Sequence, residues 1–299
     1  MDLSAYRGEL VALATAFCWT ASALAFAYAA ACFGSLALNI VRLAIALVLF
    51  MGLETLTRGL PLPTDATGHN WFWLTLSGLV GFTLGDLCLF RAFVLIGPRR
   101  TMLLMALVPM LSTLISYFAI EEILSPQAWV GMVLTIGGIA WVIFERAPSQ
   151  PGGAAPASAT GVLLALGAAV GQAGGLVLSK IGMAGYDAFA STQIRVIAGL
   201  AGFAVLFFVL RAWPRVATAV RHRKGMVYAA LGACFGPFLG VSFSLMAVRD
   251  TKVGVASTIM SITPVLIIPF VVLFYGERVT GRAVIGAVVA VAGVAVLFL

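Results

Sequence analysis

The sequence predicts an all-α, polytopic membrane protein, and three observations lead to this fold class. Of its 299 residues, 62% are hydrophobic and only 10% are charged, against about 45–50% and about 25% in soluble domains. So much apolar surface cannot be buried in one water-soluble core, because a single core stops growing near about 250–300 residues. The apolar residues also form long runs that are hydrophobic on every side, as helices facing lipid require.

Ten apolar runs, bounded by Gly, Pro or charge, suit helices of about 20 residues that cross a bilayer. They are residues 9–29, 35–53, 71–95, 101–120, 126–144, 160–180, 189–210, 226–248, 253–274 and 280–299. None alternates as a β-barrel strand does. We expect the first run to be a retained helix and not a signal peptide, because Asp2 and Glu9 offset Arg7 and the run is too long.

A linker rich in Pro, Gly, Ala and Ser, residues 146–159, separates two halves, residues 1–145 and 160–299. The halves are related, since a shift of 155 residues aligns 71–144 with 226–299 without a gap. The aligned pairs include Gly81 with Gly236, Gly85 with Gly240, Pro109 with Pro264, and Glu122 with Glu277; a shift of 153 places Arg42 on Arg195. The sequence therefore predicts a duplicated unit of five helices.

An odd number of spans in each unit has a geometric consequence. The second unit must begin on the opposite face of the bilayer, so the two repeats are predicted to be inverted around a central cavity. Inverted repeats can exchange conformations and open a central site to either side in turn. We therefore expect a transporter that works by alternating access.

The sequence resembles the drug/metabolite transporter superfamily in its EamA-type form. The resemblance depends on an Arg in the second helix of each repeat (Arg42, Arg195), and on a Pro in the fourth helix followed thirteen residues later by Glu (Pro109 and Glu122; Pro264 and Glu277). Glycine-rich fifth helices complete the resemblance. It implies ten helices, with the fifth and tenth outside the cavity. It also implies export of amino acids, metabolites or drugs, with YddG-type amino-acid exporters as the nearest type.

These inferences predict a secondary active or facilitative exporter of amino acids or similar small metabolites, multi-pass in the cell inner membrane and working as a monomer. A flippase for lipids or lipid-linked headgroups is the alternative. An enzyme is disfavoured because no buried His, metal-spaced cluster or Ser/His/Asp set is present, so we expect no catalytic residue, cofactor or metal. The net charge of +7 is scattered through connections and indicates topology, not nucleic acid.

Charged residues inside a membrane are costly and need an explanation. Arg42 and Arg195 could recognise a substrate carboxylate, but their presence in both repeats favours a structural role. Asp86 is the only carboxylate well inside a predicted span, and its repeat partner is Val241. It could hold a substrate ammonium or take a coupling proton; the alternative is an ion pair with Arg42 or Arg91.

Other predicted contacts line the first, fourth, sixth and ninth helices. The side chains expected to touch substrate are Trp19, Ser22, Met105, Gln172, Ser257 and Met260. Pro109 and Pro264 are expected to kink their helices and free a carbonyl. Ordinary helix packing is the alternative for all of these positions.

Glu122 and Glu277 end the fourth and ninth helices, where a carboxylate opposes the helix dipole. They are expected either to cap a neighbouring helix or to form a gate contact with Arg278 or Arg282.

The orientation of the chain in the membrane stays open, because two arguments disagree. Ten basic residues on one side of the membrane against five on the other place the termini outside, whereas the resemblance places them inside.

Overall fold

A computed structural model describes residues 6–145, 158–263, 265–266, 269–270 and 281–298, which are helical apart from short turns. The helices of the first half are α1 (Arg7–Phe33), α2 (Ser35–Arg58), α3 (Gly68–Gly78), α4 (Asp86–Met105), α5 (Val108–Ile120) and α6 (Pro126–Glu145). Those of the second half are α7 (Ala159–Gly182), α8 (Ala188–Val209), α9 (Trp213–Arg221), α10 (Arg223–Ala233), α11 (Val241–Asp250), α12 (Val253–Met260) and α13 (Gly281–Leu297). Two π-helical segments, π1 (Leu79–Gly85) and π2 (Cys234–Gly240), join α3 to α4 and α10 to α11.

Within these residues, six helices are long and apolar enough to cross a membrane. They are Arg7–Phe33, Ser35–Arg58, Gly68–Leu89, Ala159–Gly182, Ala188–Val209 and Arg223–Asp250, with shorter apolar helices at Val108–Ile120 and Val284–Leu297. The protein is thus an all-helical, multi-pass membrane protein. The basic connection between the predicted seventh and eighth spans contains the short helix α9, which begins at Trp213.

The duplication predicted from the sequence is visible in the succession of helix types. A shift of 155 residues places the α3, π1 and α4 starts on those of α10, π2 and α11. A π-helical turn accommodates one extra residue and is uncommon. Its occurrence at the same register in both halves shows that the repeats share backbone geometry as well as sequence.

Contacts at Thr251 show that the repeats are inverted. The Thr251 hydroxyl donates to Glu9 Oε1 at the start of α1, at 2.8 Å. The Thr251 carbonyl accepts a hydrogen bond from Lys180 Nζ at the end of α7, also at 2.8 Å. The start of α1 and the end of α7 therefore lie at the same end of the molecule. Since α1 and α7 are the first helices of their repeats, the two repeats run in opposite directions.

Each repeat packs its first helix against the π-helical segment of the other. On α7, a Cβ built at Gly171 would lie 3.0 Å from Gly85 Cα, and one at Gly175 would lie 3.1 Å from Gly81 Cα. These backbones touch because glycine has no side chain. Helices α6 and α13 pair in a similar way, with a Cβ at Gly131 lying 2.9 Å from the Gly293 carbonyl oxygen.

The structure departs from the predicted boundary between the third and fourth spans. Helix α4 continues through residues 96–100 to Met105. Leu104 packs against a small cluster that contains Ala92 and Ile96 of α4 and Ala165 of α7. A break then follows at residues 106–107, and Pro109 lies in the first turn of α5, where its missing N–H costs no helical hydrogen bond.

Candidate functional site

Four polar side chains from both repeats make up what we call the central charge cluster: Arg42, Asp86, Gln172 and Arg195. Arg42 is the eighth residue of α2 and Arg195 the eighth of α8, so the two arginines occupy equivalent depths. Asp86 begins α4 where π1 ends, and Gln172 lies at the middle of α7. The cluster thus joins the second and third helices of the first repeat to the first and second helices of the second repeat.

Asp86 is 4% exposed and its carboxylate accepts hydrogen bonds from two of these groups. Arg42 Nη2 donates to Asp86 Oδ2 in a close ion pair. Gln172 Nε2 lies 3.5 Å from Asp86 Oδ1 and makes a longer contact across the repeat boundary. Of the two ion-pair partners expected from the sequence, Asp86 takes Arg42, whereas Arg91 is exposed. A transport role for Asp86 stays a prediction.

Arg195 is 5% exposed but has a different environment from its repeat partner. Its guanidinium lies over the Phe82 ring, 4.9 Å from the centroid. Its Nε and Nη1 atoms are buried and have no hydrogen-bond partner among the described residues. Gly81 adjoins it, since a Cβ built there would lie 3.5 Å from Nη2. Arg42 also has a buried Nε without a partner among the described residues, but its Nη2 pairs with Asp86 and its guanidinium lies over Phe26, at 5.6 Å.

Two predicted substrate contacts on α1 lie in the interface with α10 and π2. Ser22 Oγ donates to the Gly232 carbonyl at 3.1 Å. Trp19 is half-buried and faces Gly240, where a Cβ would come within 2.6 Å of its ring. These contacts place both side chains between the two repeats, and a contact with substrate stays a prediction.

Ser257, a predicted contact on the ninth helix, meets a serine of α5. Ser257 Oγ lies 2.7 Å from Ser112 Oγ, joining α12 to α5. Met260 is 2% exposed, and Met105 is half-buried at the end of α4. The Pro109 carbonyl accepts hydrogen bonds from Ser112 and Thr113, at 2.9 and 2.8 Å. Pro264, Glu277 and Arg278 lie outside the described residues.

A second polar group, which we call the end cluster, joins helices of both repeats at one end of the molecule: Glu122, Lys180, Thr251 and Val253. Lys180 Nζ pairs with Glu122 Oε1 at 2.5 Å. The Val253 N–H, at the start of α12, donates to Glu122 Oε2 at 2.9 Å. Glu122 therefore caps a neighbouring helix, the first of the two expectations for this residue.

Sequence reasoning missed Lys180 and Thr251. The available signal was Lys180 itself, which lies in the last turn of a predicted span. A cation there interacts favourably with the helix dipole and can pair with an acidic residue. Its repeat-equivalent position is Ala27, and that of Val253 is Pro98, which has no N–H. The same set of contacts cannot form at the opposite end.

A third group lies outside the spans, where the loop after α2 meets the turn before α8. The Tyr186 hydroxyl donates to Asp65 Oδ1 at 2.8 Å, and Arg58 pairs with Asp65. Burial raises the pKa of Tyr186 to about 12, so this hydroxyl stays a donor. For Asp65 burial acts to raise the pKa, but hydrogen bonds from Tyr186 and the charge of Arg58 hold it below its usual value.

Fold and site together define a multi-pass membrane protein built from an inverted repeat that meets at a buried charge cluster, a construction used by transporters. The sequence model of the EamA-like transporter family matches residues 6–144 and again residues 159–299. The chain therefore belongs to that family, as the sequence motifs indicated, and is a membrane transporter of small molecules.

The other comparisons concern individual proteins. A search of curated protein sequences finds no match. A solved structure titled "Crystal structure of protein" aligns over 97% of this chain and 95% of its own, with 21% identity and a TM-score of 0.74. At that identity the likeness shows the fold alone, which is the same over almost the whole chain.

Proposed function

We propose that the protein exports amino acids or similar small metabolites across the cell inner membrane by alternating access, as a secondary active or facilitative transporter of the YddG type. The observation that carries the proposal is the inverted pair of repeats with one charge cluster between them. Inversion supplies two conformations that are related by exchange of the repeats. The cluster supplies a polar position that two helices of each repeat approach.

The end cluster supports alternating access. Lys180, Glu122 and Thr251 tie α7 to α5 and to the α11–α12 junction, and Glu9 adds the start of α1. Because the equivalents Ala27 and Pro98 cannot form these bonds, the two ends of the molecule are tied differently. We propose that this conformation is closed at the Lys180 end, and that opening this end breaks the Lys180–Glu122 pair.

The charges of the central cluster support a substrate with an anionic group. Arg42 and Arg195 contribute two positive charges and Asp86 one negative charge, which leaves one positive charge in excess. A buried excess charge favours a ligand of the opposite sign. The Phe26 ring, over which the Arg42 guanidinium lies, suits a small molecule that also has an apolar part.

The test is counterflow in liposomes that contain the purified protein, with a radiolabelled panel of amino acids and related metabolites, with and without a pH gradient. We expect exchange of at least one amino acid or comparable metabolite. Absence of exchange across the panel would overturn the proposal. Movement of a fluorescent lipid headgroup between leaflets, without metabolite exchange, would instead support a flippase.

The variant Asp86→Asn tests proton coupling in the same assay. If Asp86 takes the coupling proton, the dependence of transport on the pH gradient disappears in this variant. Unchanged dependence on the gradient removes Asp86 as the proton site and leaves the transport function in place.

A further inference from the structure

The two arginines at equivalent positions of the repeats differ in one respect: Arg42 forms a direct ion pair with Asp86, whereas Arg195 forms none among the described residues. We propose that the guanidinium of Arg195 binds the carboxylate group of the substrate, and that the protein recognises a single carboxylate at this position. This inference rests on the proposed transport function and specifies where that substrate binds.

The energetic argument starts from the burial of Arg195. A charged group inside a membrane protein is costly unless it is paired and its hydrogen bonds are made. The buried Nε and Nη1 donors of Arg195 have no partner among the described residues. They lie on different edges of the guanidinium, each of which pairs one of them with Nη2 and can bind a carboxylate through two parallel hydrogen bonds. A carboxylate at either edge would supply one of the missing acceptors.

The neighbouring groups do not already fill that role. Phe82 covers a face of the guanidinium, but a cation–π contact leaves the in-plane N–H groups without acceptors. Asp86 makes its hydrogen bonds with Arg42 and Gln172 and acts on Arg195 only through its charge. The protein therefore provides a cation whose face is covered by Phe82 and whose Nε and Nη1 donors lack acceptors among the described residues.

The backbone packs closely beside the guanidinium. A Cβ built at Gly81 would already be in van der Waals contact with Arg195 Nη2, at 3.5 Å, and with Gly175 Cα, at 3.7 Å. Gly81 and Asp86 are five residues apart, about 7 Å along a helix. A small carboxylate at Arg195 would thus lie near Asp86 of the first repeat and near helix α7 of the second, so both repeats would contact it.

Charge neutrality limits the substrate to one net negative group at this position. Arg42 and Asp86 cancel each other, and Arg195 contributes the remaining positive charge. A monocarboxylate neutralises it. A zwitterionic amino acid compensates Arg195 with its carboxylate but leaves the total charge unchanged because of its ammonium group, whereas an amine that lacks the carboxylate adds a second uncompensated charge. The expected order of recognition is acid or amino acid first, with the ester and the decarboxylated amine far behind.

The experiment compares an amino acid that the wild-type protein exchanges with its methyl ester and its decarboxylated amine. The variants are Arg195→Gln, Arg195→Lys and the matched control Arg221→Gln, an exposed arginine on α9. We expect Arg195→Gln to raise the KM of the amino acid at least about tenfold, as loss of a charged hydrogen bond does, and to abolish its advantage over the ester. Arg195→Lys should retain part of that advantage, and Arg221→Gln all of it.

Two outcomes would overturn the inference: an unchanged preference for the carboxylate in Arg195→Gln, or an equal loss for all three compounds, which a purely structural arginine would give. Thermal stabilisation of the detergent-purified protein by the same compounds supplies a second readout. If the wild-type protein exchanges nothing, the transport function fails, while stabilisation by carboxylates that is lost in Arg195→Gln still supports the Arg195 site. Equal stabilisation of the wild-type protein and Arg195→Gln, or none in either, rejects it.

Discussion

The interface between α7 and π1 and its counterpart between α1 and π2 have the same backbone plan but different chemistry. In the first, glycines meet glycines, and Gln172 reaches Asp86. In the second, the equivalents of Gln172 and Asp86 are Trp19 and Val241, and aromatic rings fill the space against glycine. Duplication thus conserved the hinge-like π-helical geometry, while polar function became concentrated in one copy.

The same asymmetry holds for the equivalent arginines and for the two ends of the molecule. A perfectly symmetric inverted repeat would give two conformations of equal energy. The central charge cluster and the end cluster each exist once among the described residues, so they can favour one conformation over the other. Conformational preference would then depend on the positions where the repeats differ.

The largest expected effect concerns the glycine interface. Gly171→Val should prevent stable folding or cost at least about 3 kcal/mol, because the new side chain would meet the backbone of π1, with its Cβ 3.0 Å from Gly85 Cα and 3.1 Å from the Val80 carbonyl oxygen. Gly174→Val on the same helix is the matched control, since its Cβ meets only a side-chain atom at 3.8 Å. Thermal unfolding in detergent measures both. Similar melting temperatures would show that close backbone contact at this interface is unnecessary.

The second prediction makes the first repeat more like the other. Asp86→Val, which copies Val241, should destabilise the protein by about 3–5 kcal/mol, because it leaves Arg42 buried without its acid. The double variant Arg42→Met with Asp86→Val should recover much of this loss, since neither charge of the pair then remains. Denaturant or thermal unfolding checks both. A double variant no more stable than the single one would contradict the ion pair as the cause.

The third prediction concerns the end cluster. Lys180→Met should favour opening at this end by about 1 kcal/mol, the order expected for one partly exposed ion pair, and so increase the open population about fivefold. Thiol labelling of Met260→Cys, in a background without the four native cysteines, reports that opening because Met260 is 2% exposed.

The exchange variant Lys180→Glu with Glu122→Lys provides the control for the third prediction. It restores opposite charges but not the hydrogen bonds with the Val253 N–H and the Thr251 carbonyl, so it should bring labelling only part of the way back to the wild-type rate. A labelling rate unaffected by Lys180→Met would indicate that the pair does not hold this end closed.

The smallest effect is expected at Asp65, outside the spans. Its pKa is lowered in the folded protein, so its ion pair stabilises the fold above the usual carboxyl pKa of about 4 and loses this effect as the pH falls through the folded value. Asp65→Asn should lower stability by less than about 1 kcal/mol at pH 7. Melting temperatures of the wild-type protein and the variant should converge below about pH 4. A constant difference across this range would point to packing as the source.

Much of the fold could be predicted because it depends on patterns that are local or repeat in register. Apolar runs predicted the membrane spans, and a gap-free shift of 155 residues predicted the shared backbone of the repeats. The course of the backbone near Pro109 could not be predicted in this way. Whether a proline bends a helix or begins a new one depends on how the preceding segment packs, and here one helix ends at Met105 and another begins at Val108.

The candidate site was less accessible from the sequence. Its residue types could be selected, because buried charge is rare, but Arg42 and Arg195 are indistinguishable by position. Lys180 and Thr251 were overlooked because each is an ordinary residue at a helix end. Lys180 contacts Glu122 and Thr251, which lie 58 and 71 residues away from it in the sequence.

The order of the amino acids was sufficient to establish a membrane-embedded, duplicated and inverted chain, since hydrophobicity and repeat register are properties of the chain itself. Packing alone decided that Asp86 pairs with Arg42 and leaves Arg195 with buried, unpartnered donors. The reason is distance: an ion pair forms only within about 4 Å, and which arginine comes that close depends on how α2, α7 and α8 are placed around π1.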